Sequence, residues 1–250
     1  MNGRLQVNNS ANFLTARWEN LVMANYAAPP EVLKPYLPAG VELDLYEGEA
    51  FTSLVGFMFK NTRLFGVPIP FMGSFEEINL RFYVKRMEQG EIRRGVVFVN
   101  ETVPYKPVAW LANKLYKEHY IAIPTKHRIL ELGEEKRIQY EWNVNRIWNK
   151  IQVNASLQTL EMQPGSHEEF IFEHYYGYTR IGENHSQEYQ VQHPRWCIHP
   201  VKDYHIQCDF RAFYGPEFDF LNNATPSSVF LAQGSQVSVK WKRRDIWEKC

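Results

Sequence analysis

The chain has 250 residues, with 28 Lys and Arg against 28 Asp and Glu, 44% hydrophobic and 15% aromatic. That composition excludes disorder, and formal neutrality leaves no field to concentrate a polyanion, so neither nucleic acid nor an anionic membrane is an expected partner. No apolar run approaches the ~18 residues of a membrane span.

Met1 to Asn12 is polar, without the apolar stretch of a secretory signal, and the three cysteines Cys197, Cys208 and Cys250 form no CxxC pair and no closed disulfide framework. A reducing, cytoplasmic location is the expectation. The 14 Gly and 14 Pro are scattered, with no linker and no repeat, so residues 1–250 read as a single domain with loosely ordered ends from Met1 to about Asn12 and over the last few residues.

In chain order, strand patterns are expected at Leu21–Tyr26, Phe51–Asn61, Glu76–Met87, Glu91–Val103, Gln139–Trp148, Lys150–Leu160, Glu169–Tyr178, Glu188–Arg195 and Gln236–Lys242. Helical spacing is clearest over Lys106–His119, where Val108, Leu111, Ala112 and Leu115 share one face and Pro107 sits in the first turn. Shorter helices are expected at Pro30–Leu37, before Pro38, and at Pro226–Ala232, stopped by Gly234. Many strands with few helices argue against a doubly wound sheet and for a β-rich architecture with helices packed on it.

Within Phe75–Val84, alternation puts Ile78, Leu80, Phe82 and Val84 on one face and Glu77, Asn79, Arg81 and Tyr83 on the other. The second row is either a solvated outer face or the lining of a polar pocket. Gln89-Gly90 reads as a hairpin turn, so Arg93–Glu101 pairs back on this strand. A plain two-residue turn puts Asn100 with the polar row and Glu101 with the apolar one; a one-residue bulge exchanges them. Glu101 is then either a buried acid with a raised pKa or another pocket carboxylate.

Lys114, Lys117, Glu118, His119 and Tyr120 gather an amine, an acid, an imidazole and a phenol at a helix end, which is material for acid/base work or simply a solvated terminus favoured by the dipole. His174 alternates with Phe170 and Phe172, as a satisfied core histidine or a functional imidazole would. His193, His199 and His205 recur every six residues, but without HExxH or paired CxxC no metal is expected. Neither a phosphate loop nor GxGxxG nor GxSxG occurs, so no cofactor is expected. Trp196, Trp241 and Trp247 beside the basic run Lys240, Lys242, Arg243 and Arg244 are weak evidence for stacking on single strands.

Four stretches, FEEINLRFYV (Phe75–Val84), FEHYYGYT (Phe172–Thr179), VQHPRW (Val191–Trp196) and SSVFLAQGSQVSV (Ser227–Val239), resemble the YqjF-like family of bacterial proteins, domain of unknown function 2071. The likeness runs from Trp18 through Asn25-Tyr26 and Leu37-Pro38 to Val239. It implies an α+β, β-rich fold similar to acetoacetate decarboxylase, in which antiparallel sheets form a barrel-like cone around a cavity. It also implies that acidic residues of the Glu77 region line that cavity. The decarboxylase chemistry needs a lysine amine with a second lysine lowering its pKa. Where those lysines belong this chain aligns Tyr120 and Ile121, and Lys114 or Lys117 substitutes only if the alignment slips.

The resulting expectation is a small-molecule site lined by Glu77, Asn79, Arg81, Tyr83, Glu101 and His174, with Arg81 on a ligand carboxylate and His119 or Tyr120 as general acid/base. The alternatives are a non-catalytic binding or assembly protein, with aromatics serving a homo-oligomer, and a remnant keto-acid decarboxylase.

Overall fold

The computed structural model describes residues 12–241 and 243–247. The ends expected to be loosely ordered, from Met1 to Ala11 and over 248–250, lie outside the described residues, as does Lys242; Asn12 already starts a strand.

Four long strands open the chain: β1 (Asn12–Ala27), β2 (Phe51–Leu64), β3 (Phe75–Glu88) and β4 (Glu91–Val103), each antiparallel to the next. Between β1 and β2 lie the one-turn helix α1 (Pro30–Leu33) and a 3-10 turn at Lys34–Tyr36, which together replace the expected helix Pro30–Leu37. Helix α2 (Lys106–Tyr116) follows β4, and strand β5 (Tyr120–Ala122) then runs parallel to β4. Strands β6 (Thr125–Leu132), β7 (Glu135–Val144) and β8 (Ile147–Ser156) are antiparallel neighbours. The expected single strand Gln139–Trp148 is broken because Asn145 and Arg146 both take positive φ, the two-residue hairpin geometry that matches strand twist.

Helix α3 (His167–Phe172) replaces the first part of the expected strand Glu169–Tyr178, of which only Tyr176 to Tyr178 are strand. The local reason is capping: the Ser166 hydroxyl accepts from the Glu169 amide at 3.2 Å, and Glu168 and Glu169 sit in the positive first turn. Then come β9 (Tyr176–Gly182), β10 (His185–Gln192), β11 (Val201–Gln207), helix α4 (Phe210–Tyr214) and β12 (Ser228–Lys240). The expected helix Pro226–Ala232 is instead the start of β12, which pairs along nearly all of β1. Further short strands join the larger of the two sheets.

Pairing runs β12–β1–β2–β3–β4–β9–β10, and β10 returns to β12 through Val191 opposite Val239 and Gln192 opposite Ser238, so among the described residues these strands form a closed ring. The second sheet, β11–β8–β7–β6, lies against one outer face of it. There Ile78, Leu80, Phe82 and Val84 join Ile138, Tyr140, Trp142, Ile151 and Val153 in one apolar cluster. The sheets approach so closely that a Cβ on Gly56 would fall 2.7 Å from the Tyr140 ring. A second cluster, with Met23, Phe57, Phe75, Tyr83, Phe172 and Trp196, occupies the inner side. Strand β3 is therefore covered on both faces, and its polar row is not solvated. No helix among the described residues is long and apolar enough to cross a membrane.

Candidate functional site

A cavity of about 150 Å³ lies within the ring, with lining residues from all seven ring strands, from α2 and from α3. Most of its wall is apolar, with Trp18, Phe57, Phe59, Phe75, Phe98 and Trp196 prominent. Against that wall stand Glu77, Asn79, Arg81, Glu101, Glu118, Tyr120, His174, Tyr189 and His193.

Alternation on β3 delivers Glu77, Asn79 and Arg81 to the cavity. Tyr83 continues the same row but is buried behind the wall, its hydroxyl 2.6 Å from Ser53 Oγ, and does not line the cavity. Glu101 arrives by a combination of both registers considered for it. The turn at Gln89 and Gly90 is a two-residue one, both with positive φ, and β3 and β4 pair regularly up to Arg81 opposite Phe98. Leu80 then faces Asn100, so Val99 is an extra residue, and this bulge sets Glu101 opposite Asn79 on the cavity side.

The helix-end cluster is divided by backbone geometry. Helix α2 stops at Tyr116 rather than His119, because Lys117 takes the left-handed conformation at φ 59° and its amide closes on Asn113 O. The chain leaves extended, so Glu118 and Tyr120 turn inward while His119 is exposed. His119 is thus not a cavity residue; its main-chain carbonyl accepts from the Glu101 amide at 3.1 Å. Glu118 occupies the inward position instead, and Tyr189, also absent from the sequence expectation, comes from β10. The alternation Glu118, Tyr120 was the available signal for the first; nothing local to β10 marked the second.

Glu77, Glu101 and Glu118 are each buried. The Tyr120 hydroxyl donates to Glu77 Oε2 at 3.0 Å, and Asn79 Nδ2 donates to Glu77 Oε1 at 3.0 Å. Thr179 Oγ1 donates to Glu118 Oε1 at 2.6 Å, while Glu101 Oε2 has no protein partner among the described residues. Burial pushes the Glu77 and Glu118 carboxyls up to about 7, and Glu101 well above the usual carboxylate range, with repulsion from Glu118 and Glu77 adding to its rise. Burial likewise holds the Tyr120 and Tyr189 phenols protonated.

The Arg81 guanidinium donates to the Ile171 carbonyl at 3.3 Å, sits 3.5 Å from Met23 Sδ, and leaves Nε without a partner; no carboxylate pairs with it among the described residues. His174 is not on a strand but in the loop after α3, its side chain fully buried. Its Nε2 lies 3.3 Å from Asp44 Oδ2, and Nδ1 has no partner. Burial lowers this imidazole to about 4, so it is neutral. Asp44 is itself buried, with Arg94 Nε at 3.2 Å and Lys85 Nζ at 3.9 Å.

Among the described residues, no lysine lines the cavity. Lys114 lies 4.7 Å over the exposed Trp110 ring, and Lys117 is exposed at the helix cap, so neither supplies the amine that a Schiff base needs. His193 stacks on Trp196 at 4.1 Å, His199 bonds the Ser156 carbonyl, and His205 is on β11; no group of three His, Cys, Asp or Glu among the described residues converges as a metal site would.

A family model, DUF2071, described as an uncharacterized conserved protein, matches residues 15–236. The chain belongs to this family. Uncharacterized protein YqjF of Bacillus subtilis (strain 168) is 37% identical over 68 residues, a stretch covering 27% of this chain and 28% of YqjF. Among solved structures, an acetoacetate decarboxylase-like enzyme from Sphingomonas wittichii RW1 superposes with a TM-score of 0.64 at 9% identity over 95% of this chain and 94% of its own. The enduracididine biosynthesis enzyme MppR, complexed with the condensation product of pyruvate and imidazole 4-carboxaldehyde, gives 0.63 at 12% over 95% and 90%. Acetoacetate decarboxylase from Legionella pneumophila gives 0.61 at 10% over 96% and 90%. At these identities the likeness is one of fold: β-rich α+β, similar to acetoacetate decarboxylase.

Proposed function

We propose that the cavity binds a small 2-oxo acid or related carboxylate, its carboxylate on Arg81, its carbonyl toward Tyr120 and the buried acids, and its apolar end against the aromatic wall. The observation that carries this reading is Arg81: a guanidinium lining the cavity, with no carboxylate paired to it among the described residues. The nearby acids do not neutralise it by contact, and burial favours their uncharged forms. A planar carboxylate matches the fork of donors that a guanidinium presents. One structural neighbour, MppR, is described in complex with pyruvate, which supports the ligand class. That no lysine among the described residues lines the cavity directs the reading away from Schiff-base decarboxylation and toward binding, with any chemistry done by acids and bases.

Because Trp18 and Trp196 line the cavity, intrinsic fluorescence reports occupancy. Titration with pyruvate and with 4-methyl-2-oxopentanoate is expected to saturate, and Arg81→Met, which keeps the stem and removes the charge, to weaken binding by about 30-fold, the worth of a charged hydrogen-bonded contact. Equal affinity in wild type and Arg81→Met, with both folded by circular dichroism, contradicts the assignment.

A further inference from the structure

The arrangement around His174 goes further, and the step below rests on the binding reading just given. A buried imidazole usually has both ring nitrogens satisfied. Here Nε2 faces Asp44 Oδ2 at 3.3 Å, while Nδ1 is buried, has no protein partner, and belongs to a side chain that lines the cavity. Asp44 Oδ2, with Arg94 and Lys85 beside the same carboxyl group, is placed to accept the Nε2 proton. The tautomer that results carries its proton on Nε2 and its lone pair on Nδ1. This is the geometry of a base held by an orienting acid. His193, the other cavity imidazole, has Nδ1 against the Pro194 carbonyl and no carboxylate beside it.

The same cavity holds a second set of groups suited to the complementary task. The Tyr120 phenol, which can turn its one proton from Glu77 Oε2 to a ligand when Glu77 is itself protonated and donates to the phenol oxygen, and the buried Glu101 carboxyl, whose Oε2 has no protein partner among the described residues, are donors while protonated. A phenol and an uncharged carboxylic acid in a dry site stabilise an oxygen that gains negative charge.

We propose that His174, oriented by Asp44, removes a proton from the carbon next to the carbonyl of a bound 2-oxo acid, while Tyr120 and Glu101 hold the enolate oxygen that forms. The C–H bond breaks and its proton goes to Nδ1. The bonding pair becomes the new C=C bond, and the carbonyl π pair moves to oxygen, where the two donors receive it. Asp44 stays a carboxylate and stabilises the imidazolium. Return of a proton to carbon regenerates the oxo acid, so the step needs no oxidant, no metal and no covalent adduct with the protein. It is an enolisation without a Schiff base, carried by His174, Tyr120 and Glu101 of the cavity lining.

The test is loss of the pyruvate methyl proton signal in D2O, followed by 1H NMR with the intact protein, in parallel with the fluorescence titration. Wild type is expected to speed exchange over the protein-free rate, and His174→Gln to lower the protein-dependent rate about 100-fold with affinity held within about threefold, the scale of a lost general base. Tyr120→Phe is expected to lower the rate at saturating pyruvate, and carries the test should His174→Gln not fold. Asp44 is a positioning residue, so Asp44→Asn is expected to reduce exchange at saturating pyruvate without raising the concentration needed for half-saturation. Wild-type protein that binds pyruvate yet exchanges no protons overturns the assignment of the base and leaves the binding reading standing; so does undiminished exchange in folded His174→Gln. Failure of pyruvate and 4-methyl-2-oxopentanoate to bind at all overturns both.

Discussion

The free energy of unfolding is expected to fall as pH rises from about 6.5 to about 8, opposite to the behaviour of a protein stabilised by paired carboxylates. Glu77 and Glu118 have folded-state pKa values raised from 4.5 to about 7, and Glu101 is raised further, in each case chiefly by burial. A raised carboxyl means that the native state binds protons the unfolded chain has released. Its stabilising contribution is complete below the unfolded pKa and is lost as pH climbs through the folded one. One pKa unit corresponds to about 1.4 kcal/mol, so a group moved as Glu118 is contributes on the order of 3 kcal/mol across its whole range and on the order of 1 kcal/mol above pH 6.5.

The buried histidines act in the other direction at lower pH. His174 and His193 are lowered from 6.5 to about 4, so their contribution is present above 6.5 and is lost as pH falls toward 4. Between about 4.5 and 6.5 the two sets oppose one another; at 6.5 the unfolded histidines are half charged and above it they lose that remaining charge, so the carboxyls increasingly set the slope. Urea unfolding at three pH values across the upper window measures it. Glu118→Gln, which keeps an acceptor for Thr179 but cannot ionise, is expected to recover on the order of 1 kcal/mol of the loss at pH 8. A stability that is flat or rising over this window would mean that the acids are ionised in the cavity, and Tyr120 and Glu101 could not then act together as donors.

The largest single loss of stability is expected from Gly234→Ala. Gly234 lies in β12 at φ +82°, and a Cβ there would fall 2.1 Å from the Trp18 carbonyl oxygen and 2.7 Å from its carbon, on the main chain of β1. On β1, next to Glu19, which faces Gly234, Asn20 takes φ 54°, its carbonyl accepts from the Tyr140 hydroxyl at 3.0 Å, and its side chain accepts from Lys136 Nζ at 2.8 Å. Both strands therefore bend at the point where the second sheet is attached. Neither backbone can yield without parting the β1–β12 pair, and that pair is part of the ring closure. A destabilisation on the order of 4 kcal/mol or failure to fold is expected. Gly48→Ala is the control: its φ is +87°, but nothing lies within 4 Å of the added methyl, so only the left-handed penalty of about 1 kcal/mol applies. Similar midpoints for the two variants in urea would show that β12 is not held against β1 there.

Much of this protein can be read without coordinates. Period-two alternation placed Glu77, Asn79 and Arg81 on one face of β3, and Gln89-Gly90 located its hairpin, because both are local consequences of strand geometry and turn sterics. The spacing of Val108, Leu111, Ala112 and Leu115 likewise marked α2. What alternation cannot express is whether a polar row meets water or the inside of a closed ring. That depended on β10 pairing with β12, far along the chain. The sequence placed His119 in a helix and β12 partly in one; a left-handed residue at Lys117 and the long pairing with β1 overrode those local preferences. Likewise the Val99 bulge, which turns Glu101 inward, has no signature of its own, since an extra residue is defined only against a partner strand. The residue types of the site were thus set by the sequence, whereas their convergence, their burial and hence their protonation were decided by tertiary structure, because desolvation and repulsion among Glu77, Glu101 and Glu118 exist only once three separate segments share one cavity.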